Sequence, residues 1–449
     1  MQIDNTTIQD LSIFERDEHF SIFHFLDHTK TVGGREWLAA YFARPLQSLE
    51  EIKDVQIFLQ KLLSVSNRWP ESISNGTIMV VEKYYQSGIS GLPESPTVIN
   101  AFGFKIFNSA DYSIVKYSVK YFIQLIRGMH EIAELLRGDD NPPILQKLLN
   151  RLDIHLKSSV SEEIRHLTED QKPARTRVLY YANYFLRQYK TESHALIALY
   201  HQLDGYMSMA LAGEKNNFSY PVFIENDLPH FEAKAFYHPL LQTPVAYPLE
   251  ISAEKNFLFL TGANMAGKST FIKAVGVAAY LAHLGMAVPA TSLRLSFFEG
   301  LLSNIQVADN IIKGESYFFN EVQRIKNTVV KISNGKKWLI LIDELFKGTN
   351  VEDAMRCSTV VIEGLLKMKN GLFILSTHLY EIAENLKQYP NIFFYYFETN
   401  IEDGRLVFNY SLKPGISEDR LGYLILKNEG VVDLLDNIPG NTSPSQASF

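Results

Sequence analysis

Along the first half of the chain, apolar residues recur at three- and four-residue spacing. GREWLAAYFARPL (34–46) reads as an amphipathic helix stopped by Pro45, and LEEIKDVQIFLQKLLSV (49–65) as a second one with acidic residues in its first turn. The same spacing predicts helices over 113–137, ended by the turn-forming run Gly138 to Pro143, then over 144–157, and one long helix over 175–212. Their Leu, Ile, Phe and Tyr stripes read as core faces. SGISGLPESPTVINAFG (87–103) is rich in Gly, Ser and Pro and reads as a connector.

After Gly213 the texture becomes β-rich and mixed. Apolar runs at 256–260, 338–342 (WLILI) and 371–376 (GLFILS) predict buried strands, with a helical segment between the last two and a strand pair over 392–411. The pattern therefore predicts an α/β chain in three parts: an all-helical domain over 1–215, an α/β nucleotide-binding domain over 216–437, and a tail over 438–449 with the composition of a flexible end.

Composition narrows this picture. A 46% hydrophobic, 21% charged chain is ordinary for a globular protein with a large core. A net charge of −7 argues against a generally basic nucleic-acid coat and leaves room for a local basic groove. The single cysteine, Cys357, excludes an internal disulfide framework and fits a reducing compartment. With no basic-then-apolar leader and no long apolar run, the expectation is a cytoplasmic protein without membrane contact.

The chemistry concentrates in TGANMAGKST (261–270). Gly262-Ala263-Asn264-Met265-Ala266-Gly267-Lys268-Ser269 has the spacing G-x-x-x-x-G-K-[ST] between an apolar strand and a helix that continues through Thr270. Glycines let backbone N–H groups turn onto phosphate oxygens, the helix N-terminus favours negative charge, Lys268 reaches β- and γ-phosphates, and Ser269 offers a ligand to Mg²⁺. WLILIDE ends a buried strand in Asp343 and Glu344: the first carboxylate serves the magnesium and the second polarises an attacking water. Ser376-Thr377-His378 closes a further strand, where a histidine can bond a γ-phosphate oxygen or that water.

TGANMAGKST, DELFKGT and STHLYEI resemble the ATPase motifs of the MutS mismatch-repair family, within the wider ABC-type ATPases. The resemblance extends to His238-Pro239-Leu240, similar to the start of the family's ATPase domain, and to SIFHFLDHTKTVGGREWLAAYFARPL (21–46), similar to the start of its helical core. It implies a helical core and lever domain followed by an ABC-type P-loop ATPase domain with a mixed, mostly parallel sheet. It also implies ATP and Mg²⁺ bound by Asn264, Gly267, Lys268 and Ser269, with Asp343 supporting the metal, Glu344 activating water and His378 sensing the γ-phosphate. IKGESYFFNEV (312–322) resembles the family's signature loop, which makes Ser316 the candidate contact to nucleotide on the opposite subunit. A homodimer with two composite ATP sites follows from the resemblance, with Gly348, Thr349 and Asn350 at the interface, DNA as the partner and other repair proteins as further ones.

The chain also departs from the family pattern. The core-like segment begins by residue 21, so the mismatch-reading domain is not expected within these residues, and Phe223-Ile224-Glu225 reads as a chance match to that domain's Phe-x-Glu. Lys172, Arg175 and Arg177 lie in a stretch of mixed sign that reads as a solvated helix face. Lys347 replaces the family's arginine, and Pro244-Val245-Ala246-Tyr247 departs from its adenine-stacking segment. The segment 421–437 supplies only part of the family's dimer-locking helices, so dimerisation is expected to depend on nucleotide. Two other readings stay open: an ATPase acting on branched nucleic acid or ribosomes, and a nucleotide-gated protein-interaction module with slow hydrolysis. A transporter ATPase is disfavoured by the missing Leu-Ser-Gly-Gly signature.

Overall fold

The computed structural model describes the chain apart from residues 169–170, 172, 306–316, 403–404, 418–425, 428–429 and 437–449. Two units divide it: Met1–Ile22, Ser219–Leu281 and Val288–Phe449 form unit 1, and Phe23–Phe218 with Ala282–Ala287 form unit 2. A helical domain running from residue 1 is thus corrected at its start. Strand β1 (Gln2–Ile3) and helix α1 (Asn5–Asp10) belong to the α/β unit. The reason is Asp10, whose buried carboxylate accepts from the Ser303 hydroxyl at 2.5 Å, the Ile305 N–H at 3.0 Å and the Arg324 guanidinium at 2.9 Å. A carboxylate so far from water is tolerated only beside such donors.

The helices that follow are α2 (Ile22–Leu26), α3 (Val32–Phe42), α4 (Leu49–Val65), α5 (Asn75–Tyr84), α6 (Val98–Phe107), α7 (Ser109–Leu136), α8 (Pro143–Leu156), α9 (Ser159–Arg165), α10 (Arg175–Gln188) and α11 (Lys190–Lys215). Thr31 and Ser48 cap α3 and α4 by accepting from the N–H groups of Gly34 and Glu51. Gly33 and Gly34 let α3 approach α11: a Cβ on either would fall 2.1 Å from His201 or 2.2 Å from Asp204. Buried Asp204 in turn accepts from the Thr31 N–H at 2.8 Å and its hydroxyl at 2.6 Å. Further in, the rings of Phe122 and Phe185 stack at 4.3 Å.

Two expectations for this unit need correcting. The long helix over 175–212 is interrupted at Tyr189, which leaves helical geometry (φ −116, ψ 11) while its buried hydroxyl donates to the His155 carbonyl at 3.0 Å. The connector over 87–103 ends early, because Thr97 and Asn100 form a reciprocal capping box that starts α6. Composition concealed that cap. Of the three basic residues in this region, Lys172 lies outside the described residues, Arg175 is exposed at the start of α10, and Arg177 donates to Glu163 at 2.6 Å.

Unit 1 continues with β2 (Val222–Ile224), β3 (His230–Phe236), β4 (Tyr247–Ser252), β5 (Phe257–Thr261), α12 (Lys268–His283), β6 (Ser292–Ser296) and β7 (Gly300–Asn304). Then come α13 (Tyr317–Ile332), β8 (Trp338–Asp343), α14 (Val351–Leu365), β9 (Gly371–Ser376), α15 (Glu381–Leu386), β10 (Ile392–Glu402), β11 (Arg405–Pro414) and α16 (Val431–Asp436). A seven-stranded sheet runs β1-β7-β8-β9-β5-β10-β11, parallel throughout except for the β10–β11 pair. A second, mixed sheet runs β2-β6-β3-β4 and takes up Phe223 and Ile224 as ordinary strand residues. The chain is α/β with a mixed, mostly parallel main sheet. β5, β8 and β9 are buried along their whole length, which accounts for their unbroken apolar runs. Their carboxyl ends line up, Asp343 opposite Ser376 and Ser376 opposite Leu260, and the loops that follow all open on one sheet edge.

Candidate active site

The glycine loop joins β5 to α12 through backbone that side chains disfavour. Gly262 has φ 135 and Gly267 φ 107; a Cβ on the first would sit 3.1 Å from the Phe397 carbonyl and on the second 3.2 Å from Tyr410. Met265 also takes positive φ, at 69, with its side chain exposed. Lys268, the first residue of α12, folds back over the loop and donates from Nζ to the carbonyls of Gly262 at 2.8 Å and Ala263 at 2.9 Å. Burial lowers the pKa of this ammonium, while Glu344 and Asp343 act in the opposite sense.

The next residue, Ser269, donates to Asp343 Oδ2 at 2.5 Å, and Ser376 donates to Asp343 Oδ1 from the neighbouring strand end. This group of hard oxygen donors suits Mg²⁺. Beyond β8, Glu344 adopts φ 67 while its N–H continues the ladder to the Ser376 carbonyl at 2.9 Å. Its carboxylate is engaged twice: His378 Nδ1 lies 3.2 Å from Oε1 and Lys347 Nζ 3.1 Å from Oε2. Burial pushes this carboxyl up, but the hydrogen bonds and charges of His378 and Lys347 outweigh burial and hold it at about 2. The same bond to Glu344 raises His378, against the opposing effect of burial.

Lys268, Ser269, Asp343 and Glu344 face a cavity of 390 Å³, within the range of small-molecule sites. Asn264, Met265, Gly267, Lys268, Ser269 and Thr270 line it from the loop and helix, Asp343 and Glu344 from β8. Gly262 takes part through its carbonyl, Ala266 is buried beneath the loop, and His378 reaches the site through Glu344. Ser316 lies outside the described residues, as do 312–315 of the signature-like segment. Gly348 and Asn350 have local roles: Asn350 caps α14 by accepting from the Asp353 N–H at 3.0 Å, and the Gly348 N–H donates to Glu321.

Thr243 and Tyr410 were not legible as site residues in the sequence, whereas Val245 and Tyr247 fall in the segment that departs from the family's adenine-stacking stretch. Thr243, Val245 and Tyr247 form one wall, and Tyr410 of β11 another. Tyr247 packs at 5.4 Å from Phe271 and 5.7 Å from Phe397, giving the cavity an aromatic base. His238, which the sequence places at the start of the ATPase-like stretch, also lines the cavity; its buried Nε2 has no hydrogen-bond partner among the described residues. Burial, with the nearby Lys273, depresses its pKa to about 4. Tyr410 carries no local signal, since only strand order brings it to the loop.

Fold and site together define an α/β protein with a glycine loop, a lysine and a carboxylate pair gathered at the carboxyl ends of adjacent parallel strands. Residues 258–434 match the family model of MutS domain V. The DNA mismatch repair protein MutS of Listeria welshimeri is 30% identical over 227 residues, covering 49% of this chain and 26% of that protein. MutS of Thermotoga maritima is 28% identical over 240 residues, covering 53% of this chain and 30% of that protein, and MutS of Anaplasma phagocytophilum is 28% identical over 224 residues, covering 49% and 27%. The matched stretch spans less than a third of the length of these curated relatives. Over residues 258–434 the chain thus carries a domain of the MutS family.

Proposed function

We propose that unit 1 is an ABC-type ATPase domain that binds and hydrolyses ATP with Mg²⁺, and that the chain works on DNA in or near mismatch repair. The observation that carries this reading is the convergence of Lys268, Ser269, Asp343 and Glu344 on one cavity. In it, Lys268 exchanges its two loop carbonyls for phosphate oxygens, and the loop N–H groups cradle them. Asp343 and Ser269 hold the metal, which supplies charge neutralisation to the phosphates when bound. Glu344 orients the attacking water and accepts its proton, and His378, bonded to Glu344, stands where it registers the γ-phosphate. The aromatic base and Tyr410 offer an apolar seat for the nucleobase.

Beyond the site, the family pattern supports a cytoplasmic homodimer that ATP closes, with Ser316 reaching the partner's nucleotide and Gly348 to Asn350 at the interface. Helices of unit 2 act as levers on DNA. ATP drives closure by binding the closed dimer better than the open one. A second reading has its own observation: with both oxygens of Glu344 engaged, one by Lys347 and one by His378, and its pKa held at about 2, the carboxylate is a weak base, which favours a slow, nucleotide-gated module whose partner is a protein.

The test is the steady-state ATPase rate without DNA and with perfect duplex, mismatched duplex and a four-way junction, using Lys268→Ala as the blank. One DNA stimulating the rate well above the others supports the DNA-coupled reading and names its target. A rate no higher than the blank removes the enzyme, and a real rate indifferent to every DNA turns the search to a protein partner.

A further inference from the structure

The turn after β8 is strained and yet well held. Glu344 and Phe346, neither of them glycine, take φ 67 and φ 59, conformations that side-chain-bearing residues disfavour and that persist only where the surroundings over-determine them. The positive φ at Phe346 turns the next two N–H groups the same way, a small anion-binding concavity made of backbone. Those N–H groups, of Lys347 and Gly348, donate to Oε1 and Oε2 of Glu321, each at 3.2 Å. Glu321 is 2% exposed and projects from α13. A second contact from the same helix seats the turn, since the Phe318 ring packs 5.7 Å from Phe346. Lys347 is thereby presented to Glu344 by a turn that α13 holds through a carboxylate and an aromatic ring.

We propose that Glu321 is a positioning residue for this site: its carboxylate clamps the turn at Lys347 and Gly348, and so fixes the place of Lys347 and the catalytic carboxylate of Glu344. The proposal rests on the hydrolytic reading above and adds control of the reaction from α13, the helix that begins directly after Ser316 in the sequence. Glu321 touches neither nucleotide nor water in this scheme. Losing it leaves phosphate binding by Lys268 and Ser269 intact, while the acceptor for the water's proton goes out of register.

The experiment compares Glu321→Gln, Glu321→Ala and Glu321→Asp with the wild type. Three quantities are measured: amide hydrogen exchange at Lys347 and Gly348, kcat and KM for ATP above the Lys268→Ala blank, and the melting temperature. The expected result is exchange at those two amides about tenfold faster in the Gln and Ala variants, with kcat down about tenfold and KM within about twofold. Glu321→Asp, which keeps the charge on a shorter stem, recovers part of both. Unchanged exchange overturns the clamp, and so does a loss in which kcat and melting temperature fall and KM rises together without recovery in the Asp variant. A wild type no faster than the blank defeats the hydrolytic reading instead, and the exchange rates alone then decide whether Glu321 holds the turn.

Discussion

His378 Nδ1 lies 3.2 Å from Glu344 Oε1, so the histidine closing β9 is bonded to the carboxylate closing β8. The two strands are register neighbours, and the bond links residues 34 positions apart in the sequence. It gives Glu344 a defined direction, which a water-orienting carboxylate needs. Replacement by Gln keeps the shape and removes the proton acceptor. Glu344→Gln is expected to lower the single-turnover hydrolysis rate by about 10²-fold or more, in the range of general base catalysis, while ATP affinity stays within about threefold. Quench-flow and equilibrium nucleotide binding measure the two separately.

Lys268 donates from Nζ to the Gly262 and Ala263 carbonyls, the two bonds that a phosphate would have to replace. Lys268→Ala is expected to weaken ATP binding by at least about tenfold, the loss of one charge-assisted contact, without unfolding unit 1. Titration with a fluorescent ATP analogue, alongside far-ultraviolet circular dichroism, checks both parts.

Asp10 bonds Arg324, Ser303 and the Ile305 N–H from a site with almost no water access. Asp10→Ala leaves a half-buried guanidinium without this partner, and breaking such a pair costs about 3–5 kcal/mol. Urea unfolding should show that loss. A change under 1 kcal/mol would mean that the first helix contributes little to the α/β unit.

Burial, with the nearby Lys273, holds His238 neutral and depresses its pKa to about 4, from an ordinary histidine value of 6.5. A depressed folded-state value means the unfolded chain takes up the proton first as pH falls. The stability is present in full above pH 6.5 and is lost as pH falls through about 4. A depression of that size corresponds to about 3 kcal/mol. Melting curves between pH 7 and 4 should carry that slope, and His238→Asn should flatten it; parallel curves for the two proteins would contradict the assignment.

The patterns that were legible in the sequence are the ones set by neighbours along the chain. An unbroken apolar run such as WLILI says that a strand is buried on both faces, and the spacing from Gly262 to Ser269 says that a loop turns its N–H groups inward, because period and φ tolerance are local properties. The helices at 49–65 and 143–156 were equally plain from their stripes. Pairings across the sheet had no such signature. Asp343 meets Ser376, Tyr410 reaches the loop, Glu321 finds the turn at 347–348, and Asp10 carries the first helix into the α/β unit only through strand order and packing. Sequence by itself determined which residues have the chemistry for phosphate and water; the tertiary structure decided which of them share a cavity, because a buried charge or a strained turn is stable only where distant donors and acceptors are brought to meet it.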